Sequence, residues 1–245
     1  MNNHSVFTFN GYTLVIHSLD GIPLDECFVI NTVSPNSYGL SVHDSAMDTA
    51  LRGSDFLILD GVYFGWLPWF KYGQKIKRIT GWDSFQFFSK KMQEKQGRVF
   101  FLGSSEATLE KMKNRYREEF PAITVCTYSP PFKPEFSEED NKAIHCAIND
   151  FKPDILFVGL TAPKQEKWAF QNQKNLDVHI ISTIGNVFDW YAGNSKRPNI
   201  FWQKIGMEWL VRIFLRPEIF KRNIGNQMIF FWHLFLYLIK IKKIW

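Results

Sequence analysis

Residues 155–168 read ILFVGLTAPKQEKW, and their order decides the fold. Ile155-Leu156-Phe157-Val158 is an apolar run short enough for a fully buried strand. Gly159 to Ala162 interrupt it, and Pro163 stands near a helix start, where a missing N–H is tolerated. Residues 164–175 then carry a helical pattern. A buried strand, a polar turn and a helix make one unit of an α/β sheet. Open sheets of this kind bind ligands at the carboxyl ends of their strands. That rule places Lys164 and Gln165 over a pocket.

The same alternation extends in both directions. Apolar runs at 13–16, 27–33, 56–59, 98–102, 122–127 and 179–182 predict further strands. Helical patterns lie at 84–96, 105–120 and 138–150. The first puts Phe85, Phe88 and Met92 on one face, and the second opens with Ser-Ser-Glu, a capping signal. Strands alternating with helices predict an α/β fold with a largely parallel sheet. The stretch 185–193, GNVFDWYAG, reads as another loop at a strand end.

Composition bounds the alternatives. Of 245 residues, 45% are apolar and 22% charged, which excludes a disordered chain. Cys27, Cys126 and Cys146 lie far apart with no CxxC, so neither a disulfide scaffold nor a cysteine zinc site is expected, in keeping with a reducing cytoplasm. The opening MNNHSVFTFN has no basic start followed by an apolar stretch, so no signal peptide is expected.

Charge divides the chain into an α/β body, 1–195, and a basic aromatic appendage, 196–245. The appendage has ten basic residues against Glu208 and Glu218, a net of +8, whereas the body has a net of −3. Eleven of the 41 aromatic residues also fall in the appendage. Such a segment suits an anionic partner. Residues 228–239, MIFFWHLFLYLI, are too few to span a bilayer, which takes about 20 apolar residues. Followed by KIKKIW, they suit a helix lying in the membrane interface. A helix docked on the body or on another subunit is the other reading. Nucleic acid is not expected, because the rings are contiguous and not interleaved with basic residues.

Several strand ends carry candidate chemistry. Asp60-Gly61 follows the strand at 56–59, where the carboxylate is either a general base or a turn aspartate. Residues 31–36, NTVSPN, offer hydroxyl and amide groups to a sugar, or else a helix cap. Gly103-Ser104-Ser105 suits an anion at a helix start, or is a plain capped turn. GxGxxG and GxxxxGK[ST] are both missing, as are Asp-x-Asp, paired histidines and a Gly-x-Ser-x-Gly elbow. No metal and no other cofactor is therefore expected.

Taken together, Ser34-Pro35-Asn36, Asp60-Gly61, Arg78 ahead of Gly81-Trp82-Asp83, FLGSSE at 101–106, the stretch 155–168, GNVFDWYAG at 185–193, Arg197-Pro198 and GMEWLVRIFLRP at 206–217 resemble the WecG/TagA/CpsF glycosyltransferases over roughly residues 10–225. The resemblance implies a Rossmann-like domain with a C-terminal basic helical appendage, the GT-E arrangement. It implies an inverting, metal-independent transfer of a sugar, often N-acetylmannosamine or a related hexose, from a UDP-sugar. The implied acceptor is a polyprenyl-diphosphate-linked sugar used for cell-surface polysaccharide or teichoic acid. The enzyme would then be cytoplasmic, peripheral on the inner face of the cytoplasmic membrane.

By the same resemblance Asp60 matches the catalytic base, Arg78 a site arginine and Gln165 a polar residue near the sugar. Asn36 matches the asparagine of a Thr-x-Asn motif, in which Ser34 keeps the threonine's hydroxyl. Arg212 matches an appendage arginine for the UDP diphosphate, and Lys221 and Arg222 fall where the family has further basic residues. The family's usual Gly-Gly-Ala-Phe-Asp is here Gly185-Asn186-Val187-Phe188-Asp189, a departure that bears on donor choice. A non-catalytic enhancer subunit of another glycosyltransferase is the alternative from a different class, and homo-oligomerisation is left open.

Overall fold

The computed structural model describes residues 5–16, 18–60, 79–195 and 217–242. The chain opens with an antiparallel hairpin of β1 (Ser5–Phe9) and β2 (Tyr12–Ile16). Its turn is Asn10-Gly11, both at positive φ, the residue pair that a two-residue hairpin favours. Then come β3 (Phe28–Val33), α1 (Pro35–His43), α2 (Ser45–Arg52) and β4 (Phe56–Leu59). After them run α3 (Gly81–Lys95), β5 (Arg98–Leu102), α4 (Glu106–Glu119), β6 (Thr124–Tyr128) and α5 (Glu138–Phe151). The series continues with β7 (Ile155–Val158), α6 (Lys164–Asn172), β8 (Ile180–Thr183) and α7 (Val187–Tyr191), and α8 (Pro217–Lys242) follows.

The strands form one sheet in the order β1-β2-β4-β3-β8-β7-β5-β6, parallel from β2 onward. This is the expected largely parallel α/β architecture, with the β1–β2 hairpin added at one edge. Burial on both faces explains the unbroken apolar runs. Val99 and Phe101 of β5 and Ile155 and Phe157 of β7 face one core with Phe85, Phe88 and Tyr116. Their neighbours Phe100, Leu102, Leu156 and Val158 face another, with Ile144 and Ile148 of α5. Period-two alternation thus feeds two cores from each strand.

Helix starts differ from expectation where capping was not read. α3 begins at Gly81 because Thr80 Oγ1 accepts from the Asp83 N–H while Asp83 accepts from the Thr80 N–H. This capping box pulls the start ahead of the apolar pattern. The stretch 185–193, expected as a loop, contains the short helix α7.

α8 returns to the amino-terminal part of the sheet and crosses α1. Phe230 and Leu234 are buried in a third core with Phe9, Tyr12, Leu14 and Tyr38. The crossing is close: a Cβ on Gly39 would lie 2.2 Å from the Asn226 carbonyl oxygen. Tyr38 Oη and His233 Nδ1 share a 2.7 Å hydrogen bond across it. The opposite stripe, Ile224, Met228, Trp232, Phe235, Leu236 and Ile239, is exposed. No described helix is long and apolar enough to cross a membrane.

Candidate active site

β3 leads out to β4 on one side, while β8, β7, β5 and β6 run the other way. Such a reversal opens a crevice at the carboxyl ends of the strands. Here it is a cleft open to solvent at its mouth, with a cavity of about 130 Å³. β3 supplies Thr32 and the turn to Asn36, β4 supplies Asp60, and β8 supplies Thr183 to Gly185. The loop after β7 contributes Ala162 and the first turn of α6 Gln165 and Glu166, and Trp82 and Trp190 add apolar wall.

The structure therefore brings Ser34, Asn36, Asp60 and Gln165 to one cleft from three separate sequence segments. Asp60 is fixed at the end of β4, its N–H donating to the Val33 carbonyl at 2.8 Å. Ser34 is the N-cap of α1: its hydroxyl accepts from the Ser37 N–H at 3.2 Å, and Ser37 Oγ accepts from the Ser34 N–H at 2.7 Å. So Ser34 both caps and lines the cleft. Asn36 Oδ1 accepts from Asn226 Nδ2 at 3.0 Å, which ties the cleft rim to α8. Gln165 Oε1 accepts from the Gly185 N–H at 3.1 Å.

Other expected residues lie elsewhere. Arg78 and Arg212 fall outside the described residues, as does the side chain of Arg222, and Lys221 is exposed on α8. Lys164 donates to the Lys133 carbonyl and covers the Phe136 ring, outside the cleft lining. Asn31 is not a ligand group: it is fully buried beneath the cleft, accepting from the Thr183 hydroxyl at 2.6 Å and donating to Ser54 at 2.8 Å. Gly103-Ser104-Ser105 is a capped turn, Ser105 accepting from the Thr108 N–H, and it stands outside the cleft lining.

Two features of the cleft were not read from the sequence. One is the start of α3, where Thr80, Gly81 and Trp82 reach the lining. α1, α3 and α6 all begin at the cleft, and first-turn N–H groups without intrahelical partners favour negative charge there. The Thr80-x-x-Asp83 spacing was the available signal. The other is Glu166, which is 1% exposed. Its Oε1 accepts from Gln165 Nε2 at 2.8 Å, and its buried Oε2 has no hydrogen-bond partner among the described residues. Burial pushes its carboxyl up to about 7. Asp60 and Glu166 are the two ionisable side chains among the described lining residues. Among the described residues no group of three or more His, Cys, Asp or Glu could hold a metal ion.

A crevice of this kind, with a carboxylate at a strand end and polar groups from neighbouring segments, suits a small polar ligand. The chain belongs to the glycosyl transferase WecG/TagA/CpsF family, whose model matches residues 12–244, and it is a glycosyltransferase. It is 27% identical over 198 residues to the N-acetylglucosaminyldiphosphoundecaprenol N-acetyl-β-D-mannosaminyltransferase of Bacillus subtilis strain 168, covering 80% of this chain and 75% of that one. It is 25% identical over 226 residues to the enzyme of the same name from Bacillus spizizenii W23, covering 91% of this chain and 86% of the relative.

Proposed function

We propose that the protein transfers N-acetylmannosamine, or a closely related hexose, from a UDP-sugar to a polyprenyl-diphosphate-linked N-acetylglucosamine, with inversion and without a divalent metal. The observation that carries this reading is Asp60, a carboxylate at the end of β4 in the cleft where α1 and α3 begin. Asp60 takes the proton of the acceptor hydroxyl as that oxygen attacks the anomeric carbon. The bond from that carbon to the diphosphate oxygen breaks, and its electron pair leaves with UDP. One base suffices, since UDP needs no protonation to depart once its charge is stabilised. Helix N-termini supply part of that stabilisation, and Arg78 and Arg212 are the proposed guanidinium partners.

The relatives' names support the acceptor class, and the missing Asp-x-Asp supports metal independence. The exposed stripe of α8 and the basic residues of 196–245 support a peripheral position on the inner membrane face. The body 1–195 would carry the chemistry and 196–245 the membrane contact and diphosphate binding, with Lys221 and Arg222 toward anionic groups. The test is to incubate the purified chain with UDP-N-acetylmannosamine and a short-chain lipid-diphosphate N-acetylglucosamine. Release of UDP and formation of the disaccharide lipid, unchanged in excess EDTA, are expected. Loss in EDTA with recovery on Mg²⁺ removes the metal-independent mechanism. No turnover with UDP-N-acetylmannosamine, with turnover of another UDP-sugar, removes the donor proposed here.

A further inference from the structure

Glu166 sits in the first turn of α6, lines the cleft and is almost wholly buried. Its two oxygens are treated differently. Oε1 accepts from Gln165 Nε2, and the other end of that amide is held by the Gly185 N–H. This chain of hydrogen bonds fixes the carboxyl from behind. Oε2 is left buried with no partner among the described residues, an arrangement that folded proteins rarely keep without a reason.

Among the described residues no neighbouring positive charge explains the exception. On its own helix, Lys164 is bonded to the Lys133 carbonyl and Lys167 is paired with Asp44 of the α1–α2 junction. On α2, Arg52 is paired with Asp48. Asp83 is used in the α3 cap, Asp189 stands on α7, and Asp60 lines the same cleft as a second carboxylate. A charged Glu166 would therefore be buried with no ion-pair partner among the described residues, and its charge would compete with the diphosphate for the same cleft. A neutral carboxyl escapes that conflict and gains an O–H donor.

We propose that Glu166 binds the transferred sugar as a neutral carboxylic acid, donating from Oε2 to an acceptor oxygen of that sugar. This rests on the reading of the cleft as a UDP-sugar site. It divides the two carboxyl groups by environment: Asp60 at the strand end works as the ionised base, and Glu166 in the desolvated helix turn works as a hydrogen-bond donor.

The test compares wild type, Glu166→Ala and Glu166→Gln in UDP-N-acetylmannosamine transfer from pH 6 to 9, with calorimetry of UDP and of the sugar nucleotide. Glu166→Ala is expected to lose about tenfold or more in kcat/KM and to weaken the sugar nucleotide's affinity more than that of UDP, because the lost contact is to the sugar. In wild type, kcat/KM falls as pH rises through about 7, where the carboxyl loses its proton. Glu166→Gln, a donor that cannot ionise, is expected to lose less than Glu166→Ala and to lack that decline. If Glu166→Ala folds and matches wild type in both readouts, the proposal is overturned. If it does not fold, a decline kept by Glu166→Gln overturns it and a decline abolished supports it. Wild-type protein that neither binds nor turns over a UDP-sugar would instead overturn the proposed function.

Discussion

In the cleft several polar side chains are held by named partners. Gln165 is tied to Gly185, Ser34 to Ser37, and Asn36 to Asn226. On the outer face of α8, Met228, Trp232 and Phe235 stand 52–61% exposed, with Trp232 stacked on Phe235 at 5.8 Å. The first region is built for atoms at fixed places, and the second offers only area. The difference teaches how each responds to change. Moving one atom in the cleft alters a reaction, whereas the stripe responds to how much apolar surface it keeps. The inner face of α8 resembles the cleft in this respect, since Phe230 meets the Tyr38 ring at 5.6 Å inside a packed core.

The largest effect expected is that of Asp60→Asn, which removes a positioned base and should lower turnover by about 10²–10⁴-fold. Vesicle binding should be unchanged. A full pH profile of transfer checks it, and wild-type turnover in the variant would place the base elsewhere.

Next is Phe230→Ala on the inner face. Truncating a buried Phe costs about 3–5 kcal/mol, so the denaturant midpoint should fall well below that of wild type. A change within the error of the melt would mean that α8 is not part of the folded core in solution. For the same reason, removing residues 227–245 would strip the body's own core as well as any membrane contact, so it is a poor test of location.

The outer face is better probed by Trp232→Ser with Phe235→Ser. These rings are already exposed, so stability should hold. Affinity for anionic vesicles should drop about 30- to 150-fold, taking roughly 1–1.5 kcal/mol for each of the two rings in the interface, below the value for full burial. Wild-type flotation should weaken in high salt yet persist, because apolar insertion is not screened. If full-length protein stays off vesicles at low salt, the stripe is a subunit interface.

The smallest effect belongs to Asn226→Ala, which breaks the link from α8 to the cleft rim. A single neutral hydrogen bond contributes about 0.5–1.5 kcal/mol, so a shift of the thermal midpoint by a few degrees is expected, with full transfer activity kept. Loss of activity tenfold or more would show that the two regions are coupled.

Much of the site was legible before the fold was known. Asp60 and Gln165 follow apolar runs, and strand ends are where α/β sheets bind ligands. The Asn10-Gly11 turn also carried a hairpin signal, though β1 itself did not stand out as an apolar run. Glu166 was not legible. It adjoins Gln165 in a polar tetrad, and sequence cannot tell which neighbours on a helix start point inward. Nor could the tail be divided: docking on the body and lying on a membrane both fit residues 228–239. The structure gives docking to one face and leaves the other exposed, because a helix turns about 100° per residue and separates Phe230 and Leu234 from Trp232 and Phe235.

By itself the sequence determined the alternation of β2 to β8 with α3 to α6, since apolar periodicity is a local property of the chain; β1, α1, α2 and α7 did not stand out in it. It also determined the charge of each region and the chemical groups available at each strand end. Only the tertiary structure decided which of those groups meet. Strand order, here β4-β3-β8-β7, depends on packing between segments far apart in the chain and is not written in any one of them. The same holds for the state of Glu166, whose charge is set by the water that the surrounding elements exclude.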